Sequence, residues 1–400
     1  MVDFLTRLVA SESPTLEPKT QAAALQMLTE RLEGAGLSVR NYAGRTSGGM
    51  LLAAPAHRVR RNPLQLVIGH CDTVWPIGTI EEMRVRREEG RLYGPGAFDM
   101  KGGLVEIVFA LEAIRALEER PTVSPVVMIN SDEETGSRDS WRLIDRLAKI
   151  ADRAFILEPG LGPAGQLKTA RKGNGQFLLR VHGRAAHAGV EPEKGASAIL
   201  ELSLCIQQLF ALNEPERGIS VNVGTIDGGM RTNVVAPVSE ATIDVRILHA
   251  EDGPRVEKAI RSLQPSTPGT RLEISGGIER LPLERTPRNR RLWERAVSVA
   301  ERLGMEISEG VSGGGSDGNI TSLRCATLDG LGPVGDGAHA VHEHVVLDSL
   351  PERAALLAGL LLEPPLGDGP VSGAGGDARG NARGGEVYTS GDPTLSSGTV

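Results

Sequence analysis

Apolar residues in the first part of the chain come in two alternating kinds of run. Leu64-Gln65-Leu66-Val67-Ile68, Val126-Val127-Met128-Ile129 and Ala154-Phe155-Ile156-Leu157 are short and continuous, which predicts strands buried on both faces. Over residues 102–117 the spacing changes to that of a helix, with Leu104, Ile107, Val108, Leu111 and Ile114 on one stripe. Helices are also predicted over 19–34, closed by Gly34 and Gly36, and over 141–150. Buried strands alternating with helices predict an α/β layer, its central sheet largely parallel and helices on both faces.

Near Gly173 the pattern changes. Strands are expected over 176–181, 220–226, 241–248 and 271–274, with helices over 195–212 and 253–263, which together read as a compact α+β insert. The earlier character returns after Leu283, with helices over 289–303 and 349–362. Residues 1–172 and 284–363 are therefore expected to form one domain, interrupted by a smaller one over 173–283. Residues 364–400 are glycine-rich and polar and offer little to bury, so a disordered tail is expected there. Residues 81–89 mix charges of both signs and predict an exposed β hairpin or solvated face.

Composition narrows the function classes. Lys and Arg number 44 against 51 Asp and Glu, a net charge of −7, which argues against nucleic acid or an anionic membrane as a partner. Aromatic residues are 3% of the chain, too few for base-stacking platforms. Hydrophobic residues at 40% are enough for a core. The three cysteines, Cys71, Cys205 and Cys325, are far apart and form no CxxC, so neither a disulfide framework nor a cysteine zinc site is indicated. The first residues carry Asp3 and Arg7 within their apolar stretch and do not read as a signal peptide. A cytoplasmic protein is expected.

The chemistry lies at the strand ends. His70 and Asp72 follow the first buried run, Glu133 and Glu134 follow the second, and Glu158 follows the third. Asp99 sits in Gly94-Pro95-Gly96-Ala97-Phe98-Asp99-Met100-Lys101-Gly102-Gly103, immediately before a predicted helix. Singly, each has a plain explanation: a structural histidine, a solvated Glu pair, a helix N-cap for Asp99. Together they fall where open α/β sheets bind ligands, outside the carboxyl ends of the strands. Carboxylates crowded there repel unless cations neutralise them. Imidazole mixed with carboxylate suits zinc or a neighbouring transition metal, and permits two ions that share one Asp. Cys71 neighbours His70, but strand alternation turns it the other way, into the core.

GHCDTV, GPGAFDMKGG, NSDEETGS and ILEPG, in this order, resemble the M20 family of dinuclear zinc exopeptidases and deacylases, in its glutamate carboxypeptidase branch. The likeness runs to about Leu362 and includes the insert. It implies two Zn2+ per subunit, with Co2+ or Mn2+ as alternatives: His70 and Glu158 on one ion, Glu134 and His339 on the other, Asp99 bridging. Asp72 would hold the His70 imidazole, and Glu133 would be the general base acting on the bridging water. In Gly337-Ala338-His339-Ala340-Val341-His342-Glu343-His344 the family pattern selects His339 and aligns Glu343, leaving His342 and His344 as neighbours or surface residues. The insert would be a lid and dimerisation domain. His187, in His182-Gly183-Arg184-Ala185-Ala186-His187-Ala188-Gly189, would reach the partner's site in a homodimer and stabilise an oxyanion, although a loop histidine fits the same residues. Asn233 and Arg246 match contacts to the substrate carboxylate, while Arg246 beside Asp244 equally fits a structural ion pair. Gly314 and Gly315 would offer backbone contacts to substrate, and Arg171 and Lys172 would add positive field at the hinge.

The expected function is a metal-dependent hydrolase of an amide bond next to a free C-terminal carboxylate, glutamate foremost, acting on small peptides or N-acyl amino acids. An N-acyl-amino-acid deacylase or aminoacylase on the same scaffold is the alternative, and a non-catalytic binding protein on that scaffold is a third reading. A rival chemistry is written in Gly314-Gly315-Ser316-Asp317-Gly318, which satisfies G-x-S-x-G with Asp336 and His339 following in order. It needs a good strand before Ser316, finds only Met305-Glu306-Ile307-Ser308, and leaves the His and carboxylate set without a role.

Overall fold

The structure, a computed structural model, describes residues 1–56 and 63–367. Helices α1 (Val2–Ala10) and α2 (Gln21–Gly34) lead into strands β1 (Leu37–Tyr42), β2 (Met50–Pro55) and β3 (Leu64–His70). A short helix α3 (Thr79–Glu82) and small strands β4 (Arg86–Glu88) and β5 (Arg91–Tyr93) come next. The hairpin expected over 81–89 thus begins later, at Arg86. Then follow α4 (Gly102–Ala116), β6 (Ser124–Asn130), α5 (Trp141–Ala148), β7 (Ala151–Ile156) and β8 (Leu167–Arg171).

A second lobe begins at β9 (Gly173–His182) and continues through α6 (Ala198–Phe210), β10 (Ser220–Gly228), β11 (Val238–Ile247), α7 (Asp252–Arg261) and β12 (Arg271–Arg280). The chain returns with α8 (Pro287–Arg302), β13 (Glu309–Ser312), α9 (Asp317–Thr321), β14 (Ala326–Leu328), β15 (Gly335–Asp336), β16 (His344–Val346) and α10 (Ser349–Leu362).

The central sheet runs β1-β2-β6-β3-β7-β14. β6, β3, β7 and β14 pair in parallel, and β2 joins antiparallel at one side. Every residue of β3 and β6 is buried, which is why their sequences read as unbroken apolar runs. One face packs Val67, Val127 and Phe155 against α4 and α10, and the other packs Leu66, Ile68 and Met128 against Ile144 and Ala148 of α5. The fold is therefore the mixed α/β architecture expected, with helices on both sides of a mostly parallel sheet.

The second lobe is built differently. Its sheet, β10-β11-β9-β12, is antiparallel throughout, and β9 alternates buried and open positions along its length. Phe177, Leu179 and Val181 of β9 and Ala241, Ile243 and Val245 of β11 close a core with Leu202, Cys205 and Leu209 of α6 and Val256 and Ile260 of α7. The lobe's entry and exit lie side by side: Arg171 and Leu283 exchange both backbone hydrogen bonds, at 2.9 and 3.1 Å. Asn319 holds both connections, its amide donating to the carbonyls of Lys172 (3.2 Å) and Leu281 (2.9 Å).

The tail expected from residue 364 lies outside the described residues beyond Gly367. Its first residues are held: Pro364 accepts a hydrogen bond from Arg153 at 2.7 Å, and the Leu366 N–H donates to Asp152 at 3.3 Å. No helix among the described residues is long and apolar enough to cross a membrane.

Candidate active site

Parallel strands that stop at one edge of the sheet bring their ends and following loops together: β3 ends in His70, and the loops after β6 and β7 carry Glu133–Glu134 and Glu158. The His70 Nε2 lies 3.3 Å from Asp99 and 3.5 Å from Glu158. On the far side of the ring, Nδ1 is 3.0 Å from the Asp72 carbonyl oxygen and 3.4 Å from its carboxylate. Asp72 thus fixes the imidazole by backbone as well as by side chain. Its carboxylate also accepts the Thr15 hydroxyl (2.7 Å) and the Glu134 N–H (3.2 Å), so it shapes the turn carrying the Glu pair. Burial would raise the Asp72 carboxyl, but His70 and these hydrogen bonds outweigh it and hold it below the ordinary carboxylate value.

His339 closes the other side, with Nε2 3.2 Å from Glu134 and 3.7 Å from Asp99. Asp99 therefore stands between two imidazoles. His339 adopts a left-handed backbone with φ +60°, a conformation non-glycine residues rarely take and one that clusters at functional sites. The Glu134 carboxylate holds the His339 imidazole up to about 9. Three buried atoms in this cluster have no hydrogen-bond partner: His70 Nε2, Asp99 Oδ1 and Glu134 Oε1. Ligand atoms of His70, Asp99 and Glu134, and again of His70, Glu133 and Glu158, lie within 4.8 Å of one another. Unpartnered imidazole and carboxylate atoms converging at this spacing fit divalent cations.

The two remaining carboxylates have opposite surroundings. Burial alone would raise Glu158, yet the Arg171 guanidinium, 3.1 Å away, outweighs it and keeps the group well below the usual range. Arg171 is itself buried and also pairs with Asp329 at 2.8 Å, so the positive charge expected at the hinge is divided between two carboxylates, of which Glu158 faces the cavity. Glu133 is pushed well up, first by burial and then by the Glu158 charge. Its partner is Arg280, at the end of β12, which reaches across from the second lobe to 3.2 Å and also donates to Ser137 at 2.9 Å.

A cavity of about 810 Å³ opens over the cluster, lined by Asp99, Glu133, Glu134, Glu158 and His339 together with Gly314 and Gly315. The carbonyls of those two glycines are taken by Arg171, at 3.0 and 3.1 Å. His187, Asn233 and Arg246 do not line this cavity. His187 lies exposed on a second-lobe loop bridged to Val234, and the Ala188 N–H donates to the Asn233 carbonyl at 3.0 Å. Arg246 pairs with Asp244 at 2.8 Å. Ser316 is buried as the N-cap of α9, and its hydroxyl donates to Asp329 at 2.6 Å, with no histidine beside it. The strand preceding it, β13, pairs with β8 and ends at Ser312 on the cavity wall, before Ser316 turns its hydroxyl to Asp329. Cys71 is buried, and burial pushes its thiol up to about 12. His344 stacks on Tyr93 with ring centroids 5.0 Å apart, and His342 is exposed.

Sequence reasoning missed Arg280, Thr15 and the contacts of Glu343. The Glu343 carboxylate accepts hydrogen bonds from the N–H groups of Gly96, Phe98 and Asp99 and from the Trp75 indole. The acid four residues after His339 was the available signal for Glu343, and nothing local marked the others.

The model of peptidase family M20/M25/M40 matches residues 66–363. Carboxypeptidase G2 of Pseudomonas sp. (strain RS-16) is 27% identical over 370 residues, covering 91% of this chain and 89% of that protein. Succinyl-diaminopimelate desuccinylase of Dechloromonas aromatica (strain RCB) is 26% identical over 391 residues, covering 90% and 97%. Among solved structures, aminopeptidase PepT from Bacillus cereus ATCC 10987 matches with a TM-score of 0.78 at 22% identity, over 90% of this chain and 97% of that one.

Proposed function

The chain belongs to peptidase family M20/M25/M40 and is a hydrolase, and we propose that it is a dinuclear metal-dependent carboxypeptidase cleaving an amide bond beside a free amino-acid carboxylate, glutamate foremost. One observation carries the reading: Asp99 stands between His70 and His339, and His70, Asp99 and Glu134 each present an unpartnered buried atom to the same space. His70 with Glu158, and Glu134 with His339, would each hold one ion, with Asp99 shared; zinc suits this donor set, and cobalt or manganese would serve. Bound there, the ions would supply Lewis-acid polarisation of the scissile carbonyl and acidify a water.

The rest falls to the side chains. Glu133 borders the cavity and pairs with Arg280 rather than with either imidazole, which assigns it the part of taking a proton from the attacking water and returning it to the leaving nitrogen. Asp72 keeps His70 in its ligating tautomer. His187 would stabilise the oxyanion from the partner subunit, which agrees with its absence from the cavity wall of its own chain. Asn233 and Arg246 would hold the substrate carboxylate. The homodimer is supported by exposed Ile199, Leu200 and Phe210 on α6 and by β10 at the sheet edge, its Ile226 open to solvent. Three buried free thiols support the cytoplasm as its place.

The second reading, an N-acyl-amino-acid deacylase, is favoured by the desuccinylase likeness, nearly equal in identity to the carboxypeptidase one. Hydrolysis rates on N-acyl glutamate, aspartate, leucine and ornithine separate the two, with glutamate expected first. A charge-assisted hydrogen bond contributes about 1.5–3 kcal/mol, so Arg246→Ala is expected to lower kcat/KM roughly 10- to 100-fold. Amidating the α-carboxylate should cost wild type as much and the variant little more. Full, independent losses would remove Arg246 from the substrate's reach.

A further inference from the structure

Three loops bearing the site's side chains meet at one residue that is outside the ligand set. Glu343 is buried, and each of its oxygens accepts two hydrogen bonds. Oε1 takes the N–H groups of Phe98 and Asp99, both at 3.0 Å. Oε2 takes the Gly96 N–H at 2.9 Å and the Trp75 indole at 2.8 Å. Its own N–H donates to Ala340, next to His339, and its carbonyl accepts the Gly94 N–H. The Asp99 loop, the His339 loop and the segment following His70 and Asp72 thus converge on one carboxylate. Gly96 has φ +71°, and a Cβ there would run into the Thr73 side chain, so the cradle is shaped for close approach. Four N–H groups aimed at a buried anion make an anion-binding concavity already filled by the chain's own side chain.

We propose that Glu343 is a positioning residue that fixes Asp99 and His339 relative to each other before any cation arrives, so that the ligands of the Glu134–His339 position are set as one unit. The proposal rests on the reading of those side chains as cation ligands. The other position has separate anchors, because Asp72 orients His70 and Arg171 holds Glu158. Loss of the Glu343 charge therefore acts unevenly. A glutamine keeps the shape but gives up one acceptor oxygen, and its amide N–H groups face backbone donors.

Zinc titration of chelator-stripped protein by calorimetry reads this directly. Wild type should take up two equivalents. In Glu343→Gln the second equivalent should weaken about 10- to 100-fold, the scale typical of losing a group that orients a ligand. The first, which loses only the setting of the shared Asp99 and keeps His70 and Glu158 on their own anchors, should weaken less. Adding His339→Ala to Glu343→Gln should weaken zinc binding no further than His339→Ala alone. Wild type that fails to bind two ions would sink the ligand assignment itself. Two ions in wild type with unchanged affinities in Glu343→Gln, or with both weakened equally, would sink the role of Glu343. A further test uses unmodified, cation-free protein, so it holds even if the variant does not fold. Hydrogen exchange at the amides of Gly96, Phe98 and Asp99 should already be slow without zinc. Fast exchange there, slowed only on adding zinc, would make the clasp a result of cation binding and overturn the proposal.

Discussion

Glu133 and Glu134 are consecutive, yet one faces Arg280 from the second lobe and the other faces His339. On the proposed roles, substituting them gives unlike phenotypes. Glu133→Gln should lower kcat by about 10²–10⁴, the scale of losing a general base, with metal content retained. Glu134→Gln should lose metal in a dialysis assay, with activity restored by excess cation. The reverse pattern would exchange the two assignments. The meeting of His70, Asp99, Glu134, Glu158 and His339 was legible because the strand ends can be read from the apolar runs and the motif order supplies the rest. Arg280 was not legible, since it lies 147 residues from Glu133 in sequence and meets it only through the placing of one lobe on another. Arg171 was legible as a charge but not as a partner, for its use depends on Asp329, which no local pattern connects to it.

At the level of elements, the long periodic segments and the central buried strands were read closely, whereas β8 and the β1–β2 hairpin were not. β8, Leu167-Lys168-Thr169-Ala170-Arg171, has two apolar residues, yet all five positions are buried. Lys168 and Arg171 are inside because they line the cavity, and Thr169 because its hydroxyl meets Glu309 and Arg285, so burial there does not follow apolar patterning. The β1–β2 hairpin escaped for a different reason: β1 lies at the sheet edge and is mostly open beyond Leu37, and the apolar run of β2, with Met50, Leu51 and Ala53 buried, stands without the alternation of strand and helix that marked the others. The start of α4 illustrates the opposite case, where sequence detail has a tight structural cause. A Cβ on Gly103 would run into the Leu157 carbonyl oxygen, so the helix that follows Asp99 approaches the end of β7 only because that residue is glycine. Gly103→Ala is expected to destabilise by about 1–3 kcal/mol, the usual scale of overpacking. Denaturant unfolding measures it, and an unchanged midpoint would show that the helix shifts at no cost.

For the molecule as a whole, the placing of His187 away from its own cavity turns the homodimer proposal into a mixing experiment. Inactive Glu133→Gln subunits exchanged with inactive His187→Ala subunits should regain part of the activity, since one site in each hybrid then has both groups intact. No recovery after proven exchange would confine His187 to its own subunit or remove it from catalysis. The paired connections between the lobes have a separate consequence, for engineering. Arg171 and Leu283 are opposite each other on antiparallel backbone, where Cα atoms stand about 5 Å apart, a gap that a two-residue turn spans. The whole of 172–282 can therefore be spliced out and the cut closed by such a turn without pulling the flanking strands apart. Every proposed cation ligand lies outside the deleted stretch, whereas Arg280, His187, Asn233 and Arg246 lie within it. The shortened gene product should fold cooperatively, take up zinc and hydrolyse nothing, leaving a metal-binding α/β scaffold onto which a different substrate-recognition module can be grafted.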